Sequence, residues 1–334
     1  MAPTVDLPRC ICSLWKLTEN TGTELLINAH KNQIALRVPY NKGINPRGDL
    51  MLKETLGDYQ NDGYTVVRQA IPQVEMEPFL NLIREKVDTY ARALMAAGKI
   101  SNLYEDLPFQ DRLAVIHDSK ELGSLQEWQL PPIGPELKTL MEHPGILNAL
   151  ESQLGPHITC NGDHMLRINL PNSDKTPFRF HQDSQYYGQE TRHAHIVTVW
   201  LPLVNVNEVN SCLYVIPGSH RWDLIDSARD ENGRMRSFED VEARGEPVPV
   251  PMNVGDIMMF TNMTFHGSKM NKSNSVRISI DFRYARTPGT YKANKEVQAS
   301  EAFMAEKVRR NKRIAPMVVR GDNPAIKKGN ANAN

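Results

Sequence analysis

Cysteine is scarce in this sequence, with only Cys10, Cys12, Cys160 and Cys212 among 334 residues. Four scattered cysteines cannot form a disulfide framework for a chain of this length, and Cys10 and Cys12 lack the second pair that a structural zinc site needs. An excess of charge of either sign is also absent, because 39 basic residues balance 39 acidic ones. We therefore expect no nucleic-acid partner and no general attraction to anionic membranes, and a small molecule as the partner.

Long apolar runs are missing as well. No stretch approaches the roughly 20 apolar residues that a bilayer-spanning helix requires, and no apolar signal-peptide core follows a basic start. The sequence ends in Asn-Ala-Asn and not in Ser-Lys-Leu, the peroxisomal address. These absences predict a reduced, cytoplasmic protein, and they leave its oligomeric state open.

The first half of the sequence has mainly helical patterns. Residues 1–47 mix short apolar runs with Asn, Gly and Pro, and we expect an N-terminal extension of undefined role. Apolar residues then recur at helical spacing up to Asp62-Gly63, whose turn chemistry ends the run. The further elements predicted here are a strand at 64–68 and helices at 72–97, 135–143 and 146–154.

From residue 158 the pattern changes to strands. β-branched and aromatic runs recur every 8 to 15 residues, separated by turns rich in Gly, Pro, Asn and Ser, which predicts a mainly β fold with flanking helices around a double-stranded β-helix, a cupin-like jelly roll. We predict one domain over 48–286 with its β core at about 156–286, and a C-terminal helix and flexible tail at 287–334. Residues 221–251 interrupt the strands with a charged, glycine-punctuated segment, of a kind that is usually functional or mobile. The predicted strands are 158–161, 164–170, 178–182, 195–204, 212–216, 256–261 and 276–284.

The pattern His181-x-Asp183 is the strongest chemical signal. On a strand, both side chains leave the same face and offer a nitrogen and an oxygen to one metal ion. About one such tripeptide is expected by chance in a chain of this composition, so the pattern needs the downstream His266 to complete a ligand set. Two imidazoles and one carboxylate form the facial triad of non-haem Fe(II) oxygenases. His193 and His195 could present a second pair, but they lack a comparable downstream partner.

Together with further segments, these motifs resemble the phytanoyl-CoA dioxygenase family of Fe(II)/2-oxoglutarate-dependent oxygenases. The resemblance runs from about Leu52 to Tyr284, although residues 169–177 lack a glycine that many relatives have there. It implies that residues 221–251 form a lid beside the active-site mouth, with an ordinary solvated excursion as the alternative. The segments that carry it, in the family's order, are 59–67, 181–183, 213–220, 255–257, 266–268 and Arg277.

The resemblance implies that His181, Asp183 and His266 are the catalytic metal ligands for Fe(II), with 2-oxoglutarate and O2 as cosubstrates. It implies that Arg277 binds the far carboxylate of 2-oxoglutarate, because a guanidinium stays charged and meets a carboxylate with two parallel hydrogen bonds. Ser279 is the same-face neighbour of Arg277 on a strand and is predicted to add a hydroxyl. The alternative for Arg277 is a surface salt bridge.

Three further cosubstrate contacts follow from the family pattern. Gln182 is predicted to hydrogen-bond 2-oxoglutarate, Trp200 to pack against it, and Ser268 to help hold its carboxylate. The alternatives are an outward polar strand residue, an aromatic of the barrel core, and a turn serine. Because Asp183 keeps its carboxylate, chlorination, which leaves that position on iron to chloride, is not expected.

The predicted function is hydroxylation of an unactivated C–H bond of a small metabolite, such as a natural product, an amino acid or a sugar derivative, with release of succinate and CO2. Desaturation, epimerisation or cyclisation would use the same iron chemistry. A non-catalytic cupin-like binding protein, or a metal cupin enzyme independent of 2-oxoglutarate, is the alternative from another class.

Overall fold

The structure, a computed structural model, describes residues 55–117, 128, 131–231, 233–288, 290–310 and 317–321. The predicted N-terminal extension and the last part of the predicted tail lie outside these residues. Within the described ranges, no helix is both long enough and apolar enough to cross a lipid bilayer.

The N-terminal part of the described chain is mainly helical. Strand β1 occupies residues at which we predicted a helix, because they pair with β2. In order, the elements are β1 (Thr55–Leu56), α1 (Tyr59–Asp62), β2 (Tyr64–Val67), α2 (Gln73–Ala96), α3 (Phe109–Ile116), α4 (Pro135–Met141) and α5 (Pro144–Leu154).

Helix α2 confirms the longest helix prediction. It ends as predicted at Gly98, which has φ +68° and lies in the left-handed region that favours glycine. Gly98 N–H donates to the Met95 carbonyl, and Lys99 N–H donates to the Leu94 carbonyl, the two bonds of a Schellman motif. Its buried stripe packs into the main hydrophobic cluster and consists of Met76, Phe79, Leu80, Ile83, Val87 and Ala91.

The C-terminal part carries most of the strands. These are β3 (Ile158–Asn169), β4 (Ile196–Pro202), β5 (Leu213–Val215), β6 (Ser227–Arg229), β7 (Met235–Ser237), β8 (Val248–Val250), β9 (Ile257–Thr261), β10 (His266–Ser268), β11 (Arg277–Arg286) and β12 (Met317–Arg320). Helices α6 (Asp183–Tyr187), α7 (Val241–Arg244) and α8 (Lys295–Arg310) lie between them.

Two curled antiparallel sheets form the core. One has the order β1-β2-β9-β4-β11-β3-β12 and the other the order β10-β5-β8, while β6 and β7 form a separate hairpin. With helices flanking the larger sheet, this architecture confirms the predicted fold class of a mainly β, cupin-like double-stranded β-helix.

The two faces of β11 show how the sheet creates a site. Even-numbered residues from 278 to 284 are apolar and fully buried in the main hydrophobic cluster, together with residues of α2, α4 and α5. Odd-numbered residues from 277 to 283 are polar, equally buried, and lie on the opposite face. In register with them on β4, Trp200 is paired with Asp281 and Thr198 with Arg283. The barrel interior therefore carries a polar stripe within an otherwise apolar fold.

Several element predictions need correction. Residues 178–182 do not form a strand: His181 makes only an isolated bridge, and Asp183 is the first residue of α6. The strands predicted at 158–161 and 164–170 are one continuous strand, β3. Strand β12, which pairs with β3, was not predicted at all.

Candidate metal centre

The two histidines of the predicted triad are paired through their backbones. His181 N–H donates to the His266 carbonyl at 3.0 Å, and His266 N–H donates back at 3.1 Å. Residues directly opposite each other in such an antiparallel bridge send their side chains to the same face. The two imidazole rings accordingly lie side by side, with centroids 4.3 Å apart.

Each imidazole has its Nε2 directed toward the shared space. Nδ1 of His181 lies 2.8 Å from the Arg179 carbonyl oxygen, and Nδ1 of His266 lies 3.0 Å from the Thr264 carbonyl oxygen. A carbonyl accepts, so Nδ1 carries the proton and Nε2 keeps its lone pair, the arrangement that suits a metal ligand.

Asp183 reaches the same space from the start of α6. Its Oδ1 lies 3.9 Å from His181 Nε2 and 3.8 Å from His266 Nε2. One potential ligand atom from each of the three residues lies within 4.8 Å of the other two, and all three side chains are buried. In the described residues no other group of three His, Cys, Asp or Glu side chains meets this condition.

The electrostatics keep the three groups in their ligand forms. Burial, reinforced by the neighbouring His266, lowers the pKa of His181 to about 3, and burial lowers the pKa of His266 as well. Burial alone would raise the pKa of Asp183, but Arg283 and the two histidines outweigh it and hold that pKa well below the usual range. Near neutral pH the set is two neutral imidazoles and one carboxylate, the donors that suit Fe(II).

Arg277 lies on the interior face of β11 and is 3 % exposed. Its Nε donates to the Ser211 carbonyl at 3.0 Å and its Nη1 donates to Ser279 Oγ at 3.1 Å, while its guanidinium lies 6.0 Å from the centre of the Trp200 ring. Burial lowers its pKa to about 10, so it stays charged at neutral pH. In the part of the chain that the structure describes, Arg277 has no carboxylate within salt-bridge distance and its Nη2 makes no hydrogen bond.

Comparison with known proteins identifies the family. The sequence model of the family described as phytanoyl-CoA dioxygenase (PhyH) matches residues 59–279. The chain belongs to the phytanoyl-CoA dioxygenase family. Members of this family are Fe(II)/2-oxoglutarate-dependent oxidoreductases, which confirms the predicted enzyme class and cofactors.

Individual relatives of this chain are named as phytanoyl-CoA dioxygenases. The probable phytanoyl-CoA dioxygenase of Caenorhabditis elegans is 24% identical over 268 residues, covering 78% of this chain and 83% of its own. The peroxisomal phytanoyl-CoA dioxygenase of Homo sapiens is 27% identical over 239 residues, covering 68% and 66%. Among solved structures, the non-heme monooxygenase ThoJ in its apo form is similar in fold, with a TM-score of 0.52 at 19% identity, covering 79% of this chain and 82% of its own.

The other cosubstrate residues predicted from the phytanoyl-CoA dioxygenase pattern occupy different surroundings. Ser279 and Trp200 are buried on the interior face, near Arg277. Ser268 Oγ accepts from Phe178 N–H at 2.9 Å, so it joins β10 to the segment before the triad. Their roles toward 2-oxoglutarate stay predictions.

Gln182 has partners that the sequence did not indicate. Its Oε1 accepts from Ile225 N–H at 3.0 Å, and its Nε2 donates to the Met263 carbonyl at 2.9 Å. Both ends of this fully buried amide are therefore bonded to backbone groups, one of them in the predicted lid. This arrangement favours a structural tie over the predicted contact with the cosubstrate.

Residues 221–251, the predicted lid, contain more structure than expected. They include the β6–β7 hairpin, α7 and β8, and they are tied to α6 beside Asp183. Gln185 Nε2 donates to the Ile225 carbonyl at 2.9 Å, and Tyr186 Oη accepts from Met235 N–H at 3.1 Å. The ring of Tyr186 in turn stands edge-on to His181, with centroids 5.2 Å apart. This segment thus forms a wall beside the triad.

Two side chains next to Asp183 were missed by the sequence analysis. Thr198 Oγ1 donates to Asp183 Oδ2 at 2.6 Å, and Arg283 Nη2 lies 3.3 Å from Asp183 Oδ2 and 3.4 Å from Oδ1. The available signal was the polar alternation at 277, 279, 281 and 283 within a β-branched run. The other pair of histidines, His193 and His195, is exposed and distinct from this cluster.

Proposed function

We propose that this chain is a hydroxylase that uses Fe(II), 2-oxoglutarate and O2 to oxidise an unactivated C–H bond of a small metabolite, with release of succinate and CO2. The observation that carries the proposal is Arg277, a buried guanidinium that shares the barrel interior with the triad and lacks a carboxylate partner among the described residues. A buried charge is stable only when paired, so this position favours an anionic ligand.

In this proposal Nε2 of His181, Nε2 of His266 and Oδ1 of Asp183 would hold Fe(II). When bound, the iron supplies the activation of O2, for which protein side chains have no equivalent. Two imidazoles whose Nδ1 protons are held by backbone carbonyls are already oriented for this task.

Arg277 would bind the far carboxylate of 2-oxoglutarate through Nη1 and Nη2. Ser279 Oγ, 3.1 Å from Nη1, is close enough to share that carboxylate, and Trp200 lies beside the guanidinium. Burial strengthens such a charge-assisted pair because water does not compete for it.

Aromatic rings line the proposed site. The Phe260 ring lies 4.3 Å from that of His266, and Phe178 and Tyr186 flank His181 at 6.0 and 5.2 Å between centroids. These rings suit the carbon skeleton of a small substrate, while Arg167 and Arg234 lie over Phe178 and Arg229 lies over Tyr186. We also propose that residues 221–251 act as a lid beside the site and that the protein is cytoplasmic.

Succinate formation tests the proposal. The full chain is supplied with Fe(II), 2-oxoglutarate and air, with and without pooled metabolites, and succinate and CO2 are measured. We expect iron-dependent succinate release that a substrate in the pool accelerates. Failure to bind 2-oxoglutarate by calorimetry would remove the proposal in favour of a cupin-like binding protein or an enzyme independent of 2-oxoglutarate.

Mass analysis of the product separates the chemical outcomes. Hydroxylation adds one oxygen atom, desaturation and cyclisation remove two hydrogen atoms, and epimerisation leaves the mass unchanged. A product that has gained one oxygen supports the proposal, while the other two results would assign the same site to one of the alternative reactions.

A further inference from the structure

Arg283 is a buried arginine close to the candidate metal centre. It is 4 % exposed, and its guanidinium bridges two carboxylates. Nη1 donates to Asp281 Oδ1 in a close contact, and Nη2 faces both oxygens of Asp183 at 3.3 and 3.4 Å. Its Nε is buried and has no hydrogen-bond partner among the described residues. The position of this side chain is thus determined by its two aspartates.

The contacts of Asp183 distinguish its two oxygens. Oδ2 accepts the short hydrogen bond from Thr198 Oγ1 at 2.6 Å, whereas Arg283 Nη2 lies almost equally far from both oxygens. Oδ1 is the atom that lies within 4 Å of both His181 Nε2 and His266 Nε2. A carboxylate has two oxygens with two lone pairs each, so Thr198 occupies Oδ2 while Oδ1 keeps a lone pair for a metal.

A line of alternating charges extends from the metal centre into β3. Asp281 Oδ2 accepts from Arg167 Nε at 2.7 Å, and the Arg167 guanidinium lies 4.8 Å from the centre of the Phe178 ring. Asp281 is therefore held from one side by Arg167 and from the other by Arg283. A guanidinium held between fixed partners is a rigid support, because its planar fork has few alternative orientations.

We infer that Arg283 is a positioning residue for the iron ligand: linked to Asp281, it holds the Asp183 carboxylate in place, with Thr198 on Oδ2, so that Oδ1 faces the metal. This inference rests on the proposed function only in that the triad holds a metal ion. It differs from the role of Arg277, because Arg283 already has its carboxylate partners inside the protein. Groups that hydrogen-bond to a ligand set its orientation and basicity, and their loss weakens metal binding.

Substitution by lysine separates geometry from charge. Arg283→Lys keeps the positive charge but offers one ammonium in place of a fork, so it cannot bridge Asp183 and Asp281 in the same plane. Co(II), a spectroscopic substitute for Fe(II), is titrated into the metal-free full chain. We expect the Kd for Co(II) to rise by roughly 10- to 100-fold, with a changed visible spectrum that reports altered ligation.

Arg277→Lys is the matched control on the same face of the same strand. It should leave the Kd for Co(II) and the spectrum unchanged and should weaken only 2-oxoglutarate binding. Thermal unfolding of both metal-free variants measures any general loss of stability. If Arg283→Lys binds Co(II) with wild-type affinity and spectrum, Arg283 is a structural ion-pair residue and the inference is wrong.

Two further variants keep the test decisive if Arg283→Lys does not fold. Asp281→Asn removes the charge that holds Arg283 from the far side, and Thr198→Val removes the other donor to Asp183 Oδ2. Asp281→Asn should weaken Co(II) binding, and combining it with Thr198→Val should weaken it further, whereas unchanged affinity in both would contradict the inference. Because these titrations contain no 2-oxoglutarate, their result is independent of whether the chain turns that cosubstrate over.

Discussion

Two arginines of β11, Arg277 at its start and Arg283 six residues later, are in opposite situations. Arg277 and Arg283 lie on the same face of one strand and are almost equally buried. Within the described ranges, Arg277 is bonded only to a serine carbonyl and a serine hydroxyl, while Arg283 lies between two aspartates. A buried guanidinium without an acidic partner points to an external anion, and one with internal partners points to support of neighbouring groups. The difference lies in the partners and not in the arginine.

We expect the largest effect when a proposed metal ligand is removed, because the proposed roles of Arg277 and Arg283 both depend on the bound metal. His181→Ala removes one of three proposed ligands, so the purified protein should lose iron on desalting and should release no succinate. The retained iron is measured by a colorimetric chelator. His193→Ala, at an exposed histidine outside the cluster, should retain iron at the wild-type level. Equal iron retention in the two variants would contradict the assigned ligand set.

Arg277→Met tests the proposed binding of 2-oxoglutarate by Arg277. The substitution removes the charge and both Nη groups while keeping an unbranched side chain, and truncating one partner of a buried charge pair costs about 2–5 kcal/mol. We therefore expect affinity for 2-oxoglutarate, measured by calorimetry with Co(II) bound, to fall at least about thirtyfold. Co(II) affinity should not change. Wild-type 2-oxoglutarate affinity in this variant would leave Arg277 without a ligand role.

Acid should lower the stability of the metal-free protein through the metal centre, which lies beside Arg283. Burial lowers the pKa of His181 to about 3, below its unfolded value of roughly 6.5. Between these values the unfolded chain binds more protons than the folded chain, so the stability of the metal-free protein rises with pH and falls as pH decreases. The pKa of Asp183 is also lowered, so its contribution is lost in the same direction at still lower pH.

The measurement is urea unfolding of the metal-free protein from pH 7 to pH 4. One buried histidine contributes a slope of up to about 1.4 kcal/mol per pH unit, and His181→Asn should reduce the slope by that amount. A slope identical in wild type and variant would show that His181 does not titrate between the two states.

Ser279→Ala, next to Arg277 on the same face of β11, should have the smallest effect. A single hydroxyl that shares a carboxylate with Arg277 contributes about 0.5–1.5 kcal/mol, so 2-oxoglutarate affinity should fall only severalfold. Metal affinity should stay at the wild-type value. Ser268→Ala is a useful companion, because Ser268 Oγ accepts from Phe178 N–H, and its loss should lower stability more than cosubstrate binding.

Much of the fold followed from local patterns. The long helix α2, the central strands and the mainly β class were predictable because hydrophobic periodicity and turn residues are local properties. The strand predicted at 178–182 was wrong because pairing ends at His181, where Gln185 Oε1 accepts from Gln182 N–H at 3.2 Å and α6 begins. A local contact at the start of α6 therefore ended the strand, although the residues before it favour a strand.

The sequence by itself identified the chemistry: His181, Asp183, His266 and Arg277 are residue types whose donors and charge suit a metal and an anionic cosubstrate, in an order typical of the family. Only the tertiary structure decided which side chains support them. Thr198 and Arg283 lie 15 and 100 residues from Asp183 along the chain, and they meet it because β4 and β11 pair in one register. The type of a ligand atom depends on a single residue, whereas the orientation of a ligand depends on contacts between distant strands. These contacts form only when the sheet curls around its interior.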